Sequence, residues 1–94
     1  MVKGYDASDE ILGLLGGSAG LKRLNLVEVK RIPGGISCFW GDLPMKACVV
    51  ISKEDGRFII AIQHFNPVSF SSYSVPAEKV KAVVKWALIR KVPA

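Results

Sequence analysis

Lys46-Ala47-Cys48-Val49-Val50-Ile51-Ser52 and Arg57-Phe58-Ile59-Ile60-Ala61-Ile62-Gln63-His64-Phe65 are two apolar runs of strand length separated by Lys53-Glu54-Asp55-Gly56. Asp-Gly between apolar runs is the strongest short-range hairpin signal, because glycine accepts the positive φ that a tight turn needs. The stretch therefore predicts a β-hairpin, and the remaining chain is read outward from it. In the second arm Phe58, Ile60 and Ile62 share one face, and Ile59, Ala61 and Phe65 share the other. An arm that is apolar on both sides is expected in the middle of a sheet, with a helix or dimer partner on one face and something else on the second.

Downstream, Asn66-Pro67 stops the strand. Val68-Ser69-Phe70-Ser71-Ser72-Tyr73-Ser74 alternates serine with larger groups, which fits a further, more exposed strand or a Ser-rich loop. Pro76 suits the first turn of a helix, where its missing N-H costs nothing, with Glu78 close behind. Val80, Val83, Val84, Ala87 and Leu88 then follow the i, i+3, i+4, i+7, i+8 spacing of a core-facing stripe. Lys79, Lys85 and Arg90 fall away from that stripe, and Trp86 stands on its flank.

Upstream, Asn25 to Ile32 reads as a strand, Pro33-Gly34-Gly35 turns the chain, and Ile36-Ser37-Cys38-Phe39-Trp40 returns as a second hairpin. In its first arm Val27 and Val29 share a side opposite Glu28 and Lys30. Gly41-Asp42-Leu43-Pro44 joins the hairpins. At the N-terminus Asp6 is placed to cap a helix starting near Ala7, with Asp9 and Glu10 in the first turn and Ile11, Leu12, Leu14 and Leu15 as its apolar face. Gly16-Gly17 ends it, and Leu21-Lys22-Arg23-Leu24 is either a second short turn or the lead into a strand. The expected fold is one α+β domain over residues 1–94. It has an antiparallel sheet of four to five strands, a short N-terminal helix and a C-terminal amphipathic helix on one sheet face.

Ninety-four residues bury a limited core, so dimerisation is expected. No run approaches the roughly 18 to 20 apolar residues of a membrane span, and the first residues lack the design of a signal peptide, so a cytoplasmic address is expected and no membrane partner. Cys38 and Cys48 read as small buried hydrophobes rather than as a disulfide. Two cysteines and one histidine at scattered spacing give no metal signature. The net charge is +5, from thirteen basic and eight acidic residues. Residues 48–94 hold seven basic and three acidic, a net of +4, against +1 for residues 1–47. Such asymmetry suits a polyanionic partner, although basic helix faces are often merely solvated. Threonine is absent and glutamine occurs once, a bias like that of thermophile proteins.

An enzyme needs a constellation of acids, bases or nucleophiles, and none is visible. His64 is expected to face solvent or pair across the sheet, and Asp42, Glu54 and Asp55 sit in turns. Gly16-Gly17-Ser18-Ala19-Gly20 is neither preceded by a strand nor followed by a GKS or GKT, so it reads as a helix terminator rather than a phosphate loop. Cys38 lies among apolar neighbours, which argues against a nucleophile. Binding asks for less. Single-stranded nucleic acid is held by basic surfaces that track phosphates and by rings on which bases stack. Phe58, Phe65 and Trp86 are expected in the core, whereas Trp40, Phe70 and Tyr73, set among serine and glycine, are expected to be exposed.

From Ala47 to Leu88 the hairpin ending in Phe65-Asn66-Pro67, then Tyr73-Ser74-Val75-Pro76-Ala77-Glu78 and a terminal helix, resembles the positive-cofactor-four family of transcriptional coactivators. The resemblance implies a dimer of curved antiparallel sheets with packed helices, binding single-stranded DNA or melted duplex along the sheets. It would put Lys46, Ser52, Lys53, Arg57 and Gln63 on or near the nucleic-acid face, Phe65 at the strand end, and Val80, Val83, Val84 and Leu88 in the dimer seam. The expectation is a homodimer that binds single-stranded DNA or RNA without catalysis, cofactor or small-molecule substrate. Its contacts would be Lys30, Arg31, Trp40, Lys46, Lys53, Arg57, Gln63, Phe70 and Tyr73. The other reading is a protein-interaction or accessory module of a thermophile, a viral protein among the options, with no nucleic-acid role.

Overall fold

The computed structural model describes residues 7–41, 46–65 and 68–89. The expected Asp6 cap, Asp42 and the Asn66-Pro67 stop lie outside the described residues, as do Arg90 and Lys91. Two helices, α1 (Ala7–Leu14) and α2 (Gly17–Arg23), precede five strands: β1 (Leu26–Ile32), β2 (Gly35–Trp40), β3 (Ala47–Glu54), β4 (Arg57–Phe65) and β5 (Val68–Val75). A 3-10 turn, Ala77–Lys79, then runs into α3 (Val80–Ile89). The strands form one antiparallel sheet in chain order, so β1 and β5 are its edges.

The β3–β4 hairpin is built on the turn its sequence demands. Asp55 and Gly56 have φ of 52° and 78°, and Glu54 pairs with Arg57 across them. Two consecutive left-handed residues match the right-handed twist of the arms, which fixes an unbroken register from there to Ala47 opposite His64. Register decides which side chains share a face. Ile36 and Cys38 of β2, Val49 and Ile51 of β3, and Phe58, Ile60 and Ile62 of β4 are buried on one face. Against them pack Ala7, Ile11 and Leu15 from the N-terminal helical segment and Val80, Val84, Ala87 and Leu88 from α3. Each large aliphatic or aromatic side chain so buried contributes roughly 1.5 to 3 kcal/mol. All three helices therefore lie on one face, with α1 over β2 and β3, α2 beside β1, and α3 over β4.

Two ion pairs anchor α1 to the sheet. Arg31 donates to the buried Ser8 hydroxyl and meets Asp9 at 2.6 Å, and Lys53 reaches Glu10 at 3.0 Å. The turn between α1 and α2 uses Gly16 and Gly17, both left-handed, at φ of 97° and 67°. Gly20 then brings the α2 backbone so close that a Cβ there would sit 1.9 Å from the Leu15 carbonyl oxygen.

The structure corrects two expectations. Val27 pairs with Phe39 and Lys30 with Ser37, so Glu28 and Val29 together oppose the single residue Cys38. This is a β-bulge, with Glu28 at a φ of 54°. The extra residue breaks the simple alternation: Val27 stands on the face away from the helices, while Val29 packs against the core. The expected dimer seam is also spent within the chain, since Val80, Val84 and Leu88 are buried against this chain's own sheet and Val83 is partly buried beside them. The outer face of α3 presents Lys81, Ala82, Lys85 and Trp86 instead.

Candidate functional site

The sheet face opposite the helices carries the side chains that the alternation leaves over. Along three successive cross-strand rows these are Val27, Phe39, Cys48, Gln63 and Phe70; then Lys30, Ser37, Val50, Ala61 and Ser72; then Ile32, Gly35, Ser52, Ile59 and Ser74. Phe65 and Val68 close one end of this surface, and the Glu54 and Arg57 pair closes the other. No described helix or strand covers it. Phe70 is 70% exposed, Val68 72% and Phe65 37%. Phe39 and Phe65 lie with ring centroids 6.4 Å apart and planes tilted by 48°, and Phe70 stands three strands from Phe39, roughly 14 Å away. In the two rows beyond the rings, Ser37, Ala61, Ser72 and Gly35 alternate with the larger Val50, Ile32 and Ile59.

Of the residues expected to bind nucleic acid, Lys30, Arg57, Gln63 and Phe70 come together on this open face, along with Ser52, which the resemblance implied. Arg57 is held there by its Nε on the Ser74 hydroxyl at 3.0 Å and its Nη2 on the Ser74 carbonyl at 2.8 Å. The others are on the helix side. Arg31 is engaged by Ser8 and Asp9, and Lys53 by Glu10, with its ammonium also 5.5 Å from the Phe58 ring centroid. Trp40 is half-buried on that side, with the Lys46 ammonium 5.7 Å from its ring centroid and His64 edge-on at 6.3 Å. Tyr73 is half-buried with its ring edge-on to Trp86 at 5.7 Å. Trp40 and Tyr73 are thus less open than expected. Phe65 and Trp86, expected in the core, are exposed, and Phe58 alone of that trio is buried.

Phe39 is the ring of this face that the sequence reading leaves out, while Phe65 is placed at the strand end by the resemblance alone and in the core by the reading of its residues. The signal for Phe65 was parity, since it stands on the same side of β4 as Ile59, Ala61 and Gln63. Cys48 shares the open face, half-buried between Phe39 and Gln63, while Cys38 points into the core. The two thiols leave the sheet on opposite faces and are free. Burial, with a smaller contribution from Cys48, pushes the Cys38 thiol up to about 12, so it stays protonated and inert near neutral pH. His64 is half-buried on the helix side, and both ring nitrogens lack a hydrogen-bond partner among the described residues. Among those residues no group of three or more His, Cys, Asp or Glu is placed to hold a metal ion, and no helix is long and apolar enough to cross a membrane.

Comparison of the chain with protein-family models, with curated proteins and with solved structures finds no match.

Proposed function

We propose that the chain is a non-catalytic intracellular binding module that takes single-stranded nucleic acid on its open sheet face. The observation that carries this reading is the convergence of Phe39, Phe65 and Phe70 on a sheet surface that no described element covers. Unpaired bases stack on such rings, each contact worth about 1 to 3 kcal/mol. Gln63 lies in the row between Phe39 and Phe70, where its amide offers both a donor and an acceptor to a base edge. Lys30 near one margin and Arg57 near the other are placed for phosphates. The resemblance to the positive-cofactor-four family supports the same assignment for Ser52, Arg57 and Gln63.

The test is fluorescence anisotropy of labelled single-stranded oligonucleotides titrated with the full chain at low salt. Binding is expected to saturate, to exceed binding of the matching duplex, and to weaken roughly 5- to 150-fold on Phe70→Ala, the equivalent of one lost stack. Two phosphate contacts predict a modest salt response, with log K falling by roughly 1.4 per tenfold rise in salt. Absence of saturable binding at low salt would defeat the proposal. A second reading is favoured by the apolar floor of the same face, where Val50, Ile59 and Ala61 offer a protein surface rather than a polyanion something to hold. On that reading oligonucleotides leave the anisotropy unchanged.

A further inference from the structure

The two edges of the sheet are built differently. β1 is guarded: its bulge at Glu28 and Val29 interrupts the ladder, and Glu28, Lys30 and Arg31 put charge along it. Bulges and charges are how edge strands avoid pairing with another chain. β5 has neither. Its eight residues stay in unbroken register with β4 from Val68 opposite Phe65 to Val75 opposite Phe58, and none of them is charged. No described segment pairs with its outer edge. At one end Arg57 donates to the Ser74 carbonyl, leaving the centre of the strand unobstructed.

We propose that β5 pairs antiparallel with β5 of a second copy of this chain, joining two five-stranded sheets into one of ten. The strand's sequence is complementary to itself. About a two-fold axis at Ser71, Val68 meets Ser74, Ser69 meets Tyr73 and Phe70 meets Ser72. About an axis at Ser72, Ser69 meets Val75, Phe70 meets Ser74 and Ser71 meets Tyr73. In either register Phe70 and Tyr73 each face a serine, and directly opposed residues lie on the same face, so each partner keeps its open face and its helix face aligned with the other's. The absence of charge matters in a chain of net +5, because a two-fold seam sets each charge near its own copy. Exposed apolar groups flank the edge on both sides: Phe70 and Val68 on the open face, and Trp86, 51% exposed, against Tyr73 on the helix face. A stable interface removes about 800 Å² from each partner, roughly an eighth of this chain's 6032 Å². The seven residues paired in either register run about 23 Å along the edge, and Phe70, Val68 and Trp86 add apolar side-chain burial on its two faces. The pairing does not rest on the nucleic-acid reading, and it leaves the open face free.

Sedimentation equilibrium of the full chain without nucleic acid tests it. The expected mass is twice 10.2 kDa. Ser72→Lys, which puts a lysine from each copy into the seam, is expected to raise the dimer dissociation constant at least tenfold, with its circular dichroism unchanged. Ser37→Lys, on the open face of the central strand β2, and Ala82→Asp, on the outer face of α3, are expected to leave the dimer intact. A monomer across the accessible concentration range overturns the proposal. So does a dimer that Ser72→Lys spares, or one broken by Ser37→Lys or Ala82→Asp, which would place the seam on the open face or on α3. Should Ser72→Lys fail to fold, amide exchange in the unmodified chain decides. Outward β5 amides must exchange at least tenfold more slowly at concentrations that favour the dimer, and equal rates at all concentrations overturn the pairing.

Discussion

Cys38 and Cys48 report the two faces of the sheet independently, because one thiol enters the core and the other stands among the rings of the open face. At neutral pH one thiol per chain is expected to react promptly with an aromatic disulfide reagent, and the second only on denaturation. Two fast thiols would mean that the helix-side core is not closed. Burial also gives Cys38 a defined influence on stability. Its folded pKa is raised from 9.0 to about 12, so between those values the unfolded chain has lost the proton that the folded chain keeps. The contribution is fully present below about pH 9 and is lost as pH rises towards 12. A chemical-denaturation series is expected to show stability falling with pH across that window, and Cys38→Ala should flatten the fall. On the proposed function, a bulky maleimide on Cys48 blocks oligonucleotide binding; full binding by the alkylated protein would move the site elsewhere.

β4 shows which parts of the fold can be read from residues and which cannot. Its two apolar faces, the Asp-Gly turn before it and the valine stripe of α3 all follow from spacing, and the structure has them where the spacing puts them. Spacing does not say which face the helices take. Phe65 and Phe70 were assigned opposite environments in the sequence, core and solvent, yet both are exposed on one surface because register with β3 and β5 puts them there. The bulge at Glu28 was equally hidden, since an extra residue in one strand is visible only against its partner. Trp40 and Tyr73 share only composition with Phe70: Tyr73 is at odd spacing from Phe70 in β5 and so leaves the sheet on the helix side, as Trp40 does from β2. The asymmetry of β4 has a direct test. Ile60→Ala, inside the core, is expected to cost about 2 to 5 kcal/mol in denaturant unfolding. Ile59→Ala, half-buried on the open face, should cost clearly less. Equal losses would mean that both faces are covered.

At the scale of the molecule, the positive charge and the exposed phenyl rings are largely on different sides. Lys22 and Arg23 belong to α2, and Lys79, Lys81 and Lys85 lie on or beside α3, whereas the open sheet face has Lys30 and Arg57 with Glu54 near the latter. The expectation that rings and cations share one surface therefore holds for two of the five expected cations, and binding should rest more on stacking than on charge. Two routes to a polyanion are then distinguishable: the open face, through bases, and the α3 lysines, through phosphates alone. Amide chemical-shift mapping with a short single-stranded oligonucleotide separates them directly. Shifts at Val27, Phe39, Cys48, Gln63, Phe65 and Phe70 are the predicted result. Shifts at Lys79, Lys81 and Lys85 with the open-face amides unmoved would contradict it.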